Sequence, residues 1–246
     1  MQVGINAQLV TFGATYRQAG VSRFTEQMVR ALQRRDTTAC YSVFLNETAR
    51  GGFSDSANMR FHYSPAALQR PALRILWEQL ALPARSAGLD VLHCPVNVLP
   101  VLNRCPAVLT IHDLTFLRYP DRFRPERRNY LAALTRVSAR KARRIMTDSA
   151  NTKQDVAELL NVQPERIDVV YPGLDEQVFH QLAAAEVAEF RRQKGLPEQF
   201  VLYVGTLEPR KNVERLIQAY SVLVARGLDQ WPLVIGGAKG WMFEHI

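Results

Sequence analysis

The chain has 246 residues, of which 47% are hydrophobic and 22% charged, values that exclude fibrous and disordered proteins and indicate a soluble globular one. No stretch of about 18 or more consecutive apolar residues is present, so we expect no membrane-spanning helix. The N-terminal stretch Met1–Leu9 lacks the basic and apolar regions of a signal peptide. The three cysteines, Cys40, Cys94 and Cys105, lack metal-ligand spacing and cannot all pair, which favours a reduced, cytoplasmic protein.

The formal net charge is +8, and a single segment carries an excess of basic over acidic residues of the same size. Between Arg122 and Arg144, nine basic residues stand against a single acid, Glu126. Such a segment could bind anionic lipid head groups or a phosphorylated ligand, or could be a solvated helix face. Nucleic acid is a weaker interpretation, because no stacking aromatic residues or base-reading module accompany the charge.

The first part of the chain alternates short β-rich runs with helical patterns, which predicts βαβ units and a parallel sheet. Helices on both faces of such a sheet make a doubly wound, Rossmann-like α/β domain, here over residues 1–173. The predicted strands are Val3–Asn6, Tyr41–Leu45, Arg60–Tyr63, Asp90–His93, Ala107–Ile111, Arg144–Thr147 and Asp168–Tyr171.

Apolar residues at spacings of three and four predict the buried stripes of the helices in this domain. Ser149 stands where an N-cap is expected, ahead of a helix over Thr152–Leu160. The predicted stripes are Val21, Phe24, Met28 and Leu32 in the first helix, Leu73, Leu76, Trp77 and Leu80 in a helix closed by Pro83, and Tyr130, Leu134 and Val137 in the basic helix.

The pattern changes after Gly173. Residues 174–198 contain a polar helical stretch, Glu186 to Lys194, but no convincing strand, and we interpret them as a linker. Residues 199–246 start a second Rossmann-like domain, with strands Phe200–Val204 and Leu233–Ile235 and a helix over Val213–Ala225. Two strands and one helix cannot bury both faces of a parallel sheet, so this domain is predicted to be incomplete.

The strongest chemical signal is the segment from Tyr203 to Asn212, where a strand leads into a helix. Gly205 lets the backbone turn closely, and Arg210 and Lys211 directly precede the helix. Unpaired N–H groups at a helix N-terminus together with two cations suit a diphosphate. The alternative is a basic pair at an ordinary connection.

Polar residues also stand where predicted strands end and where the first helix begins, positions that face the ligand crevice of such folds. A histidine there could bond to a sugar hydroxyl or accept a proton. Each of these residues alone could equally cap a turn or open a helix. The candidates are His112 and Asp113, Gly20 and Arg23, and His93 and Asn97.

Motifs of several enzyme classes are missing. The sequence contains no Walker-type lysine loop, no GxSxG elbow, no HExxH and no CxxC. P-loop kinases, α/β-hydrolases, zinc proteases and thioredoxin-like enzymes are therefore disfavoured.

Taken together, these stretches resemble the family-4 retaining glycosyltransferases, particularly their bacterial mannosyltransferase-like branch, essentially from end to end. Single matches are weak, but their order and spacing make coincidence improbable. The matching segments are Gly20–Phe24, Arg74–Pro83 followed by Asp90–Pro95, His112–Leu114 with Tyr119 and Pro120, Asp148–Asp155, Val169–Asp175 and Gly205–Asn212.

The resemblance implies a GT-B fold, here a complete first domain and the start of a second. It implies an enzyme that moves a hexose, with mannose favoured, from a nucleotide-diphosphate sugar to a glycan or lipid-linked acceptor with retention of configuration. The acceptor would bind the N-terminal domain and the donor mostly the C-terminal one. No cofactor or metal ion would be needed, and the localisation would be cytoplasmic or peripheral at the inner face of the cell membrane, through Arg122–Arg144.

Residue roles also follow from the resemblance. Arg210 and Lys211 would stabilise charge on the diphosphate leaving group, and Gly205 would belong to the same phosphate-binding segment. His112 would lie near the transferred sugar. The loop from Gly20 to Arg23 would lie near the phosphates or the acceptor.

Two departures from the family pattern stand out. The paired-glutamate element of the C-terminal domain, a Glu-Gly-Phe-Gly run followed by a second glutamate, is absent, and Ala19 stands where many members have glycine. We therefore expect the 246-residue chain to be an inactive fragment of such an enzyme. The alternatives are a non-catalytic relative that docks acceptor, membrane or a partner, another GT-B enzyme such as an epimerase or phosphorylase, and a basic nucleic-acid binder.

Overall fold

The computed structural model describes residues 1–12, 20–123, 125–174, 179–240 and 243–244, apart from the side chains of Arg122, Arg127 and Arg210. Of the residues singled out in the sequence, Ala19 and Asp175 lie outside this described part. The chain divides into two compact units, Met1–Pro172 and Gly173–Ile246.

The first unit is built on a seven-stranded parallel sheet with the order β3-β2-β1-β4-β5-β6-β7. The chain runs outward from β1 through β2 to β3 and then returns to β4 on the other side of β1, as in a doubly wound domain. This confirms the predicted fold class. The strands are β1 Gln2–Asn6, β2 Cys40–Asn46, β3 Met59–Ser64, β4 Val91–Cys94, β5 Ala107–Ile111, β6 Arg144–Thr147 and β7 Ile167–Val169.

The last strand is shorter than its sequence suggests. β7 ends at Val169, which pairs with Thr147, the final residue of β6. Beyond that point the neighbouring strand has ended, and Val170 and Tyr171 are exposed. The prediction that the strand continues to Tyr171 was wrong because strand length depends on the pairing partner.

Helices cover both faces of this sheet. α1, Val21–Arg35, packs on one face, where Met28 and Leu32 contact the buried cluster around Ile5, Val43 and Leu45. The other helices are α2 Pro71–Arg85, α3 Thr115–Arg118, α4 Pro125–Lys141 and α5 Ala150–Leu160. Buried residues of α2, α4 and α5 belong to one cluster with β4, β5 and β6, which places these three helices together on the opposite face.

Helix α2 differs from its prediction in two ways. Pro83 does not close the helix but lies inside its last turn, where Ser86 Oγ donates to the carbonyl of Leu82 at 2.9 Å. Of the four side chains predicted to be buried, Trp77 packs partly buried against the core, whereas Leu73, Leu76 and Leu80 are exposed. Leu82, outside the predicted stripe, is fully buried. The three leucines were assigned to the wrong side because this helix carries apolar residues around most of its circumference.

The side of α4 that is buried also differs from the predicted one. Val137 is exposed, and Thr135, Ser138 and Ala139 are buried instead. The predicted cap of α5 is confirmed: Ser149 Oγ accepts from the backbone N–H of Thr152 at 3.1 Å, and the helix begins at Ala150.

The second unit contains two parallel strands, β8 Val201–Val204 and β9 Leu233–Gly236, and two helices, α6 Ala184–Lys194 and α7 Val213–Ala225. Among its described residues only Val213 and Glu208 are buried. Most of the apolar side chains on its strands and helices are thus at least partly open to solvent. In the described part of both units, no helix is long and apolar enough to cross a membrane.

Candidate functional site

His112 lies at the carboxyl edge of the first unit's sheet, one residue after β5. Its ring is held from two sides: Nδ1 is 2.6 Å from Asp148 Oδ2, and Nε2 is 3.0 Å from the carbonyl oxygen of Pro95. The ring of Phe24 packs edge-on against it, with centroids 4.9 Å apart. Residues after β4, β5 and β6 and from α1 therefore fix one mostly buried imidazole at the edge where such folds bind ligands.

Asp148 was missed as a functional residue by the sequence analysis, where it appeared only within a longer matching segment. The pairing of the two strands before these residues could have indicated that Asp148 lies beside His112. Ile111 and Thr147 are the last residues of neighbouring strands and pair in register, so the residues that follow them, His112 and Asp148, emerge side by side. Seeing this required knowing that β5 and β6 are neighbours in parallel register.

His93 is the penultimate residue of β4, and it is buried. Its Nε2 is 2.8 Å from Thr110 Oγ1. Burial, aided by the electrostatic effect of His112, lowers the pKa of His93 to about 4. The ring is therefore a neutral hydrogen-bonding group at neutral pH.

Asn97 and Asp113 are brought together at the same edge. Asn97 Nδ2 donates to the carbonyl oxygen of Asp113 at 3.1 Å. The carboxylate of Asp113 accepts from the backbone N–H of Thr115 at 3.0 Å, at the start of α3. The Asp113 side chain thus caps a turn, the structural role left open by the sequence, while remaining exposed to solvent.

The start of α1 contributes Phe24 to the site, and Gly20 directly precedes this helix. Gly20 has φ 63° and ψ −116°, a backbone conformation that side chains disfavour, although a Cβ there would meet no atom within 4 Å. The carbonyl of Gly20 accepts from Phe24 N–H at 2.9 Å, which starts the helix. Arg23 is exposed on the first turn, next to the residue that touches His112.

A buried polar cluster lies at the end of β1. Asn6 Nδ2 donates to Glu78 Oε1 at 3.3 Å, and Arg74 Nε is 3.8 Å from the same oxygen. Burial raises the pKa of the Glu78 carboxyl. Within the described residues, Asn6 Oδ1 and Arg74 Nε are buried without a hydrogen-bond partner.

In the second unit, two glycines allow two loops to pack closely against each other. A Cβ on Gly237 would lie 1.9 Å from the carbonyl oxygen of Gly205, and one on Gly240 would lie 2.7 Å from that of Leu207. Backbone hydrogen bonds of 2.9 Å join Gly205 to Gly236 and Leu207 to Ala238. The loop after β8 is therefore held against the loop after β9 by contacts that only glycine permits.

Lys211 closes the short turn Pro209–Lys211 that leads into α7, and it is exposed. Asn212 adopts a left-handed conformation with φ 55°, and α7 then starts at Val213 without a side-chain cap. The first N–H groups of this helix have no partner within it. Lys211 therefore lies two residues before the first helical residue, whereas the side chain of Arg210 lies outside the described part.

Metal-binding groups are not clustered in the residues described by the structure. No set of three or more histidine, cysteine, aspartate or glutamate side chains there could hold a metal ion. The three cysteines are free.

Family models match most of the sequence. Residues 19–178 match Glycosyltransferase Family 4, and residues 186–245 match Glycosyl transferases group 1. The O-antigen chain mannosyltransferase B of Escherichia coli is 28% identical over 183 residues, which cover 72% of this chain and 48% of that protein. The O-antigen chain mannosyltransferase RfbU of Salmonella typhimurium is 27% identical over 144 residues, 56% of this chain and 36% of that protein. The chain thus spans half or less of the length of these curated relatives.

The fold has relatives among solved structures. HepE from Anabaena, in complex with UDP and glucose, matches with a TM-score of 0.59 at 13% identity, over 98% of this chain and 70% of that one. A glycosyltransferase from Rickettsia africae matches with a TM-score of 0.53 at 11% identity, over 98% and 69%. This likeness concerns the fold, which is of the GT-B type. Since the family model covers the whole doubly wound unit beyond residue 18, including the His112 and Asp148 segments, the chain belongs to glycosyltransferase family 4.

Proposed function

We propose that this chain is part of a glycosyltransferase that moves a hexose from a nucleotide-diphosphate sugar to a glycan or lipid-linked acceptor with retention of configuration. Mannose is favoured because both curated relatives described above are mannosyltransferases of O-antigen chains. A nucleotide sugar as donor is also consistent with the UDP and glucose bound by the Anabaena structure.

The observation that carries this proposal is the glycine-locked turn of the second unit with Lys211 at the open start of α7. Transfer breaks the bond between the sugar C1 and the diphosphate oxygen, so negative charge builds up on the diphosphate. Lys211, the adjacent Arg210 and the helix N–H groups would stabilise that charge. We propose that this cationic site takes the place of a metal ion and that the reaction needs no cofactor.

In the first unit we assign sugar contacts to the carboxyl edge of the sheet. His112 would lie near the transferred sugar, with Asp148 and the carbonyl of Pro95 holding its ring, and the Gly20–Arg23 loop would contact phosphate or acceptor. His93, Asn97 and Asp113 would line the acceptor side. The support is their common edge and the fixed imidazole.

We propose a cytoplasmic protein that associates with the inner face of the cell membrane. The support is the basic helix α4, with its exposed Arg136, Arg140 and Lys141. A lipid-linked acceptor would then be met at the surface where it resides.

Calorimetric titration of the chain with GDP and UDP tests donor binding. Lys211→Ala should weaken binding of the preferred diphosphate by about tenfold or more, because a hydrogen bond to a charged group contributes about 1.5–3 kcal/mol. Lys194→Ala, which removes an exposed lysine from α6 of the same unit, is the matched control. Equal affinities of wild type and Lys211→Ala would show that the turn is not the phosphate site.

Transfer is tested separately with GDP-mannose and UDP-glucose, by following release of the nucleotide and the anomeric configuration of the product. An α-linked mannoside is expected from the complete enzyme. Nucleotide binding without transfer by the complete protein would favour the non-catalytic, docking alternative. The inactivity expected of the 246-residue chain is tested in the same assay.

A further inference from the structure

The guanidinium group of Arg74, on α2, forms no hydrogen bond with any residue in the described part of the chain. Its Nε is buried and lies 3.8 Å from Glu78 Oε1, too far for a hydrogen bond. The Arg74 side chain keeps 23% of its surface exposed, and its terminal nitrogens are not among the buried atoms. A rigid fork of N–H donors is therefore enclosed at its base and open at its end.

Other arginines of the first unit show what a structural ion pair looks like in this protein. Arg118 Nε donates to Asp155 at 2.9 Å, and this pair ties α3 to α5. Arg144 Nε donates to Asp168 at 2.9 Å, and this pair ties β6 to β7. Charge-assisted hydrogen bonds of this length are the strong ones. The contact of Arg74 with Glu78 is much longer, so the pair leaves the donors of Arg74 available.

The groups around Arg74 are incompletely bonded as well. Asn6 Nδ2 donates to Glu78 Oε1 at 3.3 Å, whereas the buried Asn6 Oδ1 has no partner among the described residues. Burial raises the pKa of Tyr130 on α4, and the charges of Glu78 and Arg74 also act on it, which places its hydroxyl near both groups. Buried polar networks normally satisfy their own members. This one leaves donors and acceptors open in one place.

The cluster lies at the same edge of the sheet as the fixed imidazole of His112. Asn6 is the last residue of β1, and Cys94 is the last residue of the neighbouring β4. Burial, and then the carboxylate of Glu78, raises the pKa of the Cys94 thiol, so this thiol lies beside the cluster. The next residue, Pro95, accepts from His112 Nε2. Two consecutive residues thus connect the cluster with the His112 site.

Charge and hydrogen-bonding capacity indicate which ligand would fit. Glu78 compensates the positive charge of Arg74, so an anion would gain little from the arginine and would be repelled by the carboxylate. A phosphate also offers only acceptors, whereas the open groups include the Tyr130 hydroxyl, which both donates and accepts. Each sugar hydroxyl likewise donates and accepts, and two adjacent hydroxyls match the spacing of a guanidinium fork. The cluster therefore suits an uncharged saccharide.

We propose that Arg74 and Tyr130 form a subsite for a sugar of the acceptor, with the guanidinium donating to two adjacent hydroxyls and Tyr130 bonding to one of them. Glu78, held by Asn6, keeps the fork in place from its enclosed side. This rests on the glycosyl transfer proposed above, and it names residues that would recognise the glycan part of the acceptor.

NMR titration of the full chain, without any nucleotide, tests the proposal. The probes are the methyl α-glycosides of mannose, glucose and galactose, with inorganic phosphate as the anionic comparison. The reporter is the Arg74 Nε–H signal, which Arg74→Lys identifies by its loss. At least one glycoside should shift this signal saturably, and phosphate should not. A shift with phosphate alone would overturn the proposal in favour of an anion site, and no shift with any probe would assign the gap beside Arg74 to water.

Two variants with matched controls test the contacts, with binding followed by saturation transfer to the glycoside that shifts the Arg74 signal. Tyr130→Phe removes only the hydroxyl and should weaken binding by about threefold to tenfold. Tyr63→Phe, on the edge strand β3, should bind like wild type. Arg74→Lys keeps a charge beside Glu78 but loses the fork, and should weaken binding by about tenfold. Arg85→Lys, at the other end of α2, is its control.

Donor binding separates this inference from the proposed function. GDP and UDP titrations of all four variants should match the wild type, because Lys211 belongs to the second unit. Circular dichroism and urea unfolding check that each variant is folded. Unchanged glycoside affinity in both Tyr130→Phe and Arg74→Lys would overturn the subsite while leaving the diphosphate site standing.

Discussion

The buried His93 makes the folding of the first unit sensitive to acid. Above its ordinary pKa of 6.5 the ring is neutral in both the folded and the unfolded chain. Below pH 6.5 the ring takes up a proton in the unfolded chain. In the folded chain it stays neutral until the pH reaches its lowered pKa of about 4. The free energy of unfolding should therefore fall as the pH falls from 6.5 and level off near 4.

The size of this effect follows from the two pKa values. Lowering the pKa from 6.5 to about 4 corresponds to roughly 3 kcal/mol, at about 1.4 kcal/mol for each pH unit. At about pH 5 the loss attributable to His93 is roughly 2 kcal/mol. This is a large part of the stability of an ordinary domain.

The test is urea unfolding of the wild type and of His93→Gln at about pH 7.5 and about pH 5. Glutamine keeps a polar group within reach of Thr110 but cannot take up a proton in this range. We expect the variant to lose about 2 kcal/mol less than the wild type between the two pH values. His62→Gln, at an exposed position on β3, is the control and should retain the pH dependence of the wild type.

An equal loss of stability in wild type and His93→Gln would refute the reasoning. It would mean that His93 is protonated in the folded chain at about pH 5. In that case burial would not hold the ring neutral below its ordinary pKa.

Two further predictions concern the two sites. Gly237→Ala should destabilise the second unit by about 1–3 kcal/mol, because the new Cβ would fall 1.9 Å from the carbonyl oxygen of Gly205. Gly88→Ala, where a Cβ meets nothing within 4 Å, is the control in the same thermal unfolding experiment, and equal midpoints for both variants would contradict the interlock. Asp148→Asn should lower the stability of the first unit by about 1–2 kcal/mol, because it removes the charge from the 2.6 Å hydrogen bond to His112. Urea unfolding measures this change, and an unchanged free energy would show that the bond does not hold the ring.

Local sequence patterns determined the elements whose ends depend on neighbouring residues. β5 and β6 were predicted with their observed bounds, because each is a short β-rich run closed by polar residues. The cap of α5 was equally local, since the Ser149 hydroxyl reaches an N–H only three residues away. The turn of the second unit was likewise predicted from local sequence, in which Gly205 precedes the basic pair Arg210 and Lys211.

Tertiary structure decided which side of a helix is covered and which distant residues meet. The leucines of α2 turn outward because Trp77 and Leu82 face the core, a choice that apolar spacing could not make in a helix with apolar residues on most sides. The bond between His112 and Asp148 joins residues 36 positions apart, and it exists only because β5 and β6 are parallel neighbours in register. Spacing and caps are encoded within a few residues, whereas burial and side-chain contacts depend on the order in which the sheet assembles its strands.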